Sequence, residues 1–213
     1  MKTLILSILL FSSLVHAQYP QEWWAEIPRS EAASWEILPQ EAKAGEVILS
    51  KRTELGVFSN FAATSFCLEQ KCYASIEGLW QSLKYPDPAL ENDPRHLITG
   101  WPHTREQVEQ MVAFEAKDAG EAASEIYKTH QLKDVSYGPR FFNYKDYAEG
   151  SAYHYKIIKA ATVAKLVQNP EAFELLLKTK GLILKPDHFV GRNDPPSYRY
   201  YDILMEIRDQ VKP

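Results

Sequence analysis

The sequence predicts an α+β fold that is predominantly helical and has a few short strands in a single domain. Apolar residues recur at helical spacing over long segments, most clearly at 104–119, 151–168 and 197–211. Strand-like runs, such as 46–50 and 182–184, are short and do not alternate regularly with the helices. This order argues against a doubly wound parallel sheet and favours an α+β domain.

The first 17 residues predict a cleavable signal peptide. Lys2 is followed by the apolar run 4–11, and Val15-His16-Ala17 supplies small residues for cleavage before Gln18. The run is shorter than the roughly 20 apolar residues that span a bilayer. We therefore expect an exported protein, periplasmic or secreted, that has no membrane association after cleavage.

Removing the first 17 of 213 residues leaves 196, which is enough for one domain with a sizeable core. We divide them into an N-terminal extension, 18–45, and a main domain, 46–213. The net charge is −4, and −5 without Lys2. Such an acidic chain lacks the broad basic surface that non-specific nucleic-acid binding needs. A substrate linked to a nucleotide would instead be held in a local pocket.

Cys67 and Cys72 lie in one predicted hairpin, Phe66–Tyr73. With Glu69-Gln70 at the turn, the two cysteines face each other in a non-hydrogen-bonded pair, where a disulfide is geometrically reasonable. The alternative is two unpaired thiols in a turn that lacks the usual glycine. No further ligands stand at zinc-like spacing, so we predict no metal site.

The remaining elements follow from helix caps and periodicity. A short helix is expected at 30–36 with Ser30 as its N-cap, and an aromatic loop at 127–148. Asn169-Pro170 opens a helix that Gly181 ends.

The helix that begins at Ser75 separates into two faces. Its apolar residues share one stripe, with Trp80 at the margin, whereas Glu77, Gln81 and Lys84 share another. This polar stripe is consistent either with a solvated surface or with side chains that converge on a ligand. Gly78 weakens the helix, which suggests that another part of the chain approaches it closely.

The segment 58–84 resembles the signature of the NADAR (NAD- and ADP-ribose-associated, YbiA-like) family. The resemblance lies in Phe58-Ser59-Asn60-Phe61-Ala62, and in Ser75-Ile76-Glu77 followed by Gln81 and Lys84. Looser similarity covers 156–177, Asp187–Gly191 and Ile203–Arg208. The chain departs from the pattern at Gly78, where the family usually has His, and it lacks recognisable central Gly-Arg and Asp-Trp elements.

The resemblance implies an N-glycosidase that releases ADP-ribose from a conjugate such as ADP-ribosylated guanine, with no cofactor. Glu77 would stabilise the developing charge or protonate the leaving nitrogen. Lys84 would either attack an opened sugar as a free amine or anchor a phosphate or hydroxyl as a cation. Asp187 would orient ribose or water. The remaining predicted substrate-binding residues are Asn60, Phe61, Trp80, Gln81 and Arg192.

Two other functions fit the same residues. One is a non-catalytic module that binds ADP-ribose or a nucleotide in the same fold, because the central family elements are missing. The other is an exported interaction protein that presents Trp23-Trp24 and the Tyr-rich stretch 198–201 on its surface.

Overall fold

The computed structural model describes residues 19–146, 149–191 and 193–211. The predicted signal peptide, 1–17, lies outside the described residues. The α+β class with mostly helix is confirmed. The strands are β1 (Glu46–Ile48), β2 (Phe66–Leu68), β3 (Lys71–Tyr73), β4 (Val135–Tyr137), β5 (Arg140–Phe142) and β6 (Ile183–Lys185). The helices are α1 (Ile76–Ser82), α2 (Arg105–Glu109), α3 (Ala113–Thr129), α4 (Gly150–Gln168), α5 (Pro170–Lys178) and α6 (Tyr200–Gln210).

The chain forms two compact units, and the first contains the described residues up to 59, 171–191 and 199–211. Its β1 and β6 pair in parallel, from Glu46 opposite Ile183 to Ile48 opposite Lys185. Helix α6 packs on β6, and the N-terminal segment packs on β1. The residues predicted as an extension, 18–45, thus include part of this unit's core.

Two expectations need correction. Trp23 and Tyr200 are buried and cannot belong to an exposed aromatic surface, whereas Tyr198, in the second unit, is 38% exposed. The helix expected at 30–36 is a single 3-10 turn, Arg29–Glu31. The Arg29 guanidinium donates to the Ser34 and Glu36 carbonyls, which holds the following segment in a non-helical course.

The second unit, described over 60–146, 149–170 and 193–198, contains two antiparallel hairpins and helices α1 to α4. In the first hairpin Cys67 lies opposite Cys72, and the two form a disulfide. Glu69 and Gln70 both have positive φ, 50° and 69°, so the tight turn forms without glycine. The Gln168 side chain accepts from Cys67 N at 2.8 Å and donates to Cys67 O at 2.7 Å.

The helix predicted over 104–119 is two helices, α2 and α3, with a break at residues 110–112. Groups from other segments form hydrogen bonds with the backbone polar atoms around the break. Ala74 N donates to Glu109 O, Ser75 Oγ donates to Met111 O, and Ala113 N donates to Phe61 O. These competing hydrogen bonds come from distant sequence, so periodicity within 104–119 does not reveal them.

The aromatic stretch 127–148 is not simply a loop. Helix α3 continues to Thr129, and β4 and β5 then form a hairpin whose turn contains Gly138 at φ 51°. Each strand is only three residues long, which is too short for an alternating pattern to be distinguished from an aromatic loop.

Helix α1 is buried along its whole length, since all seven of its residues are buried. Ser75 caps it by accepting a hydrogen bond from Gly78 N at 2.8 Å. A Cβ at Gly78 would lie 2.6 Å from Met111 O and 2.9 Å from Val108 O. The close approach expected at Gly78 is therefore confirmed, and the approaching group is the backbone at the end of α2.

Two buried arginines bind the end of α1. Arg95 donates to Leu83 O at 2.8 Å, and Arg105 donates to Tyr85 O at 3.3 Å. Both guanidinium groups also donate to Ser136 Oγ, and Asp93 pairs with Arg95 at 2.6 Å. Carbonyls on both sides of residue 84 are thus held by cations, which fixes the backbone from which Lys84 projects.

Within the described residues no helix is both long enough and apolar enough to cross a membrane.

We expect Gly78→Ala to lower the free energy of unfolding by about 1–3 kcal/mol, because its methyl group overlaps backbone carbonyls that cannot rotate away. Urea denaturation followed by circular dichroism would measure this loss. Glu125→Ala is the control, because it introduces alanine at an exposed position of helix α3. A loss for Gly78→Ala no larger than that of the control would contradict the packing argument.

Candidate functional site

The polar stripe of α1 faces the interior. Glu77, Gln81 and Lys84 are only 7–8% exposed, so the interpretation of this stripe as a solvated surface is wrong. Burying a carboxylate, an amide and an amine together is costly unless they have partners. These three buried polar side chains, on α1 and just after it, define the candidate site.

Gln81 connects Glu77 to helix α3. Its Nε2 donates to Glu77 Oε1 at 2.7 Å, one helical turn away. Its Oε1 lies against Gly120, where an added Cβ would be 1.8 Å from that oxygen. Gly120 therefore makes room for the amide, and the amide in turn orients the carboxylate. The sequence predicted Gln81 as a substrate-binding residue, but in the structure its amino group is committed to Glu77.

Lys84 reaches across to α3. Its Nζ donates to Gly120 O and Ser124 Oγ, both at 3.0 Å, and lies 5.6 Å from the centre of the Trp80 ring. Burial lowers the pKa of Lys84 to about 8, although the negative charge of Glu77 opposes the shift. A substantial fraction of Lys84 is therefore an unprotonated amine at slightly alkaline pH.

The Trp80 ring, predicted to bind substrate, is covered by its own chain. The His154 ring lies 4.0 Å from it, centre to centre, and the Tyr144 ring meets it edge-on at 4.6 Å. Trp80 is only 9% exposed. In this structure it forms the wall beside the Lys84 amine and does not present an open stacking face.

His154, on α4, is a site residue that the sequence did not single out. It is 1% exposed, and its Nδ1 lies 2.8 Å from Ser197 Oγ. Burial lowers the pKa of His154 to about 3, and the Lys84 charge adds to the shift. Its imidazole is therefore neutral at ordinary pH. Only the position of a lone histidine within an apolar, helix-periodic segment hinted at its burial.

Tyr198 also lies close to the site. Burial raises its pKa, and the charges of Tyr144, Glu77 and Asp194 raise it further. Tyr198 and Ser197 belong to a 3-10 turn, Pro196–Tyr198, that packs against α4. The electrostatic interaction between Tyr198 and Glu77 indicates that the structure brings this turn near the candidate site.

The structure brings Asn60 to the start of α1 but directs Phe61 elsewhere. Asn60 O accepts from Glu77 N at 3.0 Å, and Asn60 Oδ1 is buried with no hydrogen-bond partner among the described residues. The Phe61 ring packs edge-on against Phe114 at 5.4 Å. Phe114 itself is 56% exposed, although it lies within the helix-periodic segment 104–119.

Asp187, predicted to be catalytic, lies in the first unit and contacts the side chains of Lys51 and His188. Lys51 Nζ is 2.6 Å from Oδ2, and His188 Nδ1 is 2.8 Å from Oδ1. Burial raises the pKa of Asp187, but these hydrogen bonds outweigh burial and hold the pKa below its ordinary value. A catalytic role for Asp187 stays a prediction. Arg192, predicted to bind phosphate, lies outside the described residues.

The described residues contain no group of three or more His, Cys, Asp and Glu side chains arranged to hold a metal ion. The candidate site instead offers a carboxylate oriented by an amide and an amine of lowered pKa, beside an aromatic wall. Together these groups can move a proton, stabilise a developing cation or form a covalent bond to an electrophilic carbon.

Comparison with known proteins gives one similar solved structure, the NMR structure of the E. coli protein YbiA. It has 20% sequence identity to the chain and a TM-score of 0.49, and the match covers 79% of this chain and 87% of that one. No protein-family model matches the chain, and no curated protein matches it.

We expect His154 to make the protein sensitive to acid. Its pKa is 6.5 when unfolded and about 3 when folded, so the unfolded state binds the extra proton between these values. Below about pH 6.5 this one group should remove about 1.4 kcal/mol of unfolding free energy per pH unit. Urea denaturation between pH 4 and 8 would show a shallower acid slope for His154→Phe than for wild type. His130→Phe, at an exposed position, is the control, and equal slopes for all three proteins would contradict the assignment.

Proposed function

We propose that the chain is a divergent, exported member of the NADAR family that hydrolyses an N-ribosidic bond in an ADP-ribose-type conjugate. The observation that carries the proposal is the buried Glu77–Gln81–Lys84 face. It holds a carboxylate on α1 and a partly neutral amine just after α1, within residues that resemble the family motif. ADP-ribosylated guanine is the substrate that we propose to test first.

Glu77 suits the demands of this reaction. Cleavage of the bond between ribose and nitrogen develops positive charge at the anomeric carbon, and the departing nitrogen must gain a proton. A carboxylate fixed by Gln81 provides a preorganised negative charge for the first demand. When protonated, the same group meets the second demand as a general acid.

We consider two alternative roles for Lys84, which differ in the protonation of its amine. As a free amine it adds to the anomeric carbon of an opened ribose, and the base departs with a proton to leave an imine. Water then adds to the imine carbon, which releases the sugar aldehyde and restores the amine. As a cation, Lys84 would instead bind a phosphate or hydroxyl group of the substrate.

A non-catalytic module that binds ADP-ribose is the second candidate function. It is favoured by the lack of recognisable central Gly-Arg and Asp-Trp elements in the sequence, because binding alone does not require a complete catalytic centre. Binding of ADP-ribose without turnover of any N-riboside would identify this function.

We expect Glu77→Gln to reduce kcat/KM for ADP-ribosylated guanosine by about 100- to 10,000-fold, because it keeps the shape and removes the charge. Release of ADP-ribose, followed by chromatography, is the measurement. Glu125→Gln is the matched control, since Glu125 is an exposed carboxylate on α3. Turnover by wild type that survives Glu77→Gln would reject the assigned role.

The pH dependence separates the two roles of Lys84. With a pKa of about 8, a nucleophilic amine predicts that kcat/KM rises with pH up to about 8 and then levels. A cationic anchor predicts the opposite, with substrate binding lost above about pH 8. Borohydride reduction during turnover, followed by peptide mass analysis, would detect an adduct on Lys84 only in the first case. Lys128→Met, on an exposed residue of α3, controls for general loss of a lysine.

A further inference from the structure

His154 is a buried polar residue to which the proposed reaction assigns no role. Its Nδ1 is bonded to Ser197 Oγ, but its Nε2 is buried and has no hydrogen-bond partner among the described residues. A buried polar atom without a partner lowers the stability of the folded state. The presence of an imidazole at this position therefore needs a reason other than stability.

Packing alone does not supply that reason. The His154 ring lies 4.0 Å from the Trp80 ring and within 6.4 Å of the rings of Tyr144 and Phe142. A phenylalanine would make the same ring contacts and would leave no nitrogen unpaired. What distinguishes the imidazole is its two nitrogens, of which Nδ1 is bonded to Ser197 and Nε2 remains available to a partner from a ligand.

The chemistry of that partner follows from the neutral state of the ring. An uncharged imidazole either donates or accepts one hydrogen bond at Nε2, depending on its tautomer. The Ser197 hydroxyl fits both tautomers, because it can accept from Nδ1 or donate to it. A partner that also fits both tautomers is another hydroxyl group, whereas a phosphate oxygen fits only one.

The contacts of Lys84 indicate that His154 Nε2 lies near the groups proposed to react. Its charge contributes to keeping His154 neutral, and both side chains contact the Trp80 ring. A substrate whose anomeric carbon meets Glu77 and Lys84 carries one ribose hydroxyl on the neighbouring carbon, C2, and another on the next carbon, C3. These are the hydroxyls that a neighbouring ring nitrogen would contact.

We propose that His154 is a specificity-determining residue, whose Nε2 hydrogen-bonds a hydroxyl of the ribose held between Glu77 and Lys84. This inference rests on the proposed function, since it identifies what the same site recognises. It predicts that the protein distinguishes a riboside from its deoxy analogue through one neutral side chain.

The test compares ADP-ribosylated guanosine with analogues that lack the 2- or the 3-hydroxyl of the ribose bonded to the base. For wild type we expect kcat/KM to fall about 10- to 100-fold on one of the two deoxy analogues. For His154→Phe we expect a similar fall on the parent substrate and no further fall on that analogue, because the partner is already absent. His130→Phe, an exposed substitution, should discriminate as wild type does.

A loss on the deoxy analogue that is equally large in His154→Phe and in wild type would overturn the inference. So would a crystal structure of wild type with ADP-ribose in which Nε2 binds an ordered water and no ribose hydroxyl. That structure tests the contact even if His154→Phe does not fold.

Failure of the inference is distinguishable from failure of the proposed activity. Thermal stabilisation by ADP-ribose, and by its analogues that lack a hydroxyl on the terminal ribose, needs no turnover. Discrimination by wild type that His154→Phe abolishes would support the contact even in a protein that cleaves nothing. Turnover by wild type without hydroxyl discrimination would keep the activity and reject the role of His154. A wild type that neither binds nor cleaves these compounds would overturn both.

Discussion

A seven-residue helix that is buried on every side must obtain partners for its polar groups from its neighbours, and this constraint organises the second unit. Ser75 caps the start of α1, Arg95 and Arg105 bind the carbonyls at its end, and Gly78 lets the α2 backbone approach. A short helix has little stability of its own. Its conformation, and therefore the direction of its side chains, is imposed by these tertiary contacts.

The same burial explains the electrostatics of the candidate site. Lys84 and His154 are both basic groups that lose hydration on folding, and each is shifted toward its neutral form. A charge on Lys84 further disfavours a charge on His154. The carboxylate of Glu77 acts in the other direction on Lys84. Protonation of Lys84 is therefore favoured by the Glu77 carboxylate and disfavoured by burial.

Local sequence predicted the elements whose signals are local and failed where distant residues decide the structure. The start of the helix at Ser75, the hairpin register and the stripe of Glu77 and Lys84 all follow from short spacings. The break before α3 depends on hydrogen bonds from residues near 61 and 74. The buried position of His154 was hidden for the same reason, because its partners Ser197 and Trp80 are 43 and 74 residues away in the sequence.

The Cys67–Cys72 hairpin has a consequence for how the protein matures. Its register is set by a tight turn and by the Gln168 side chain, which binds both backbone polar groups of Cys67. Gln110 in turn donates to the carbonyl of Cys72. None of these contacts involves a sulfur atom, so hydrogen bonds that do not depend on the disulfide hold Cys67 opposite Cys72. Oxidation therefore adds a covalent bond to a register that these hydrogen bonds already specify.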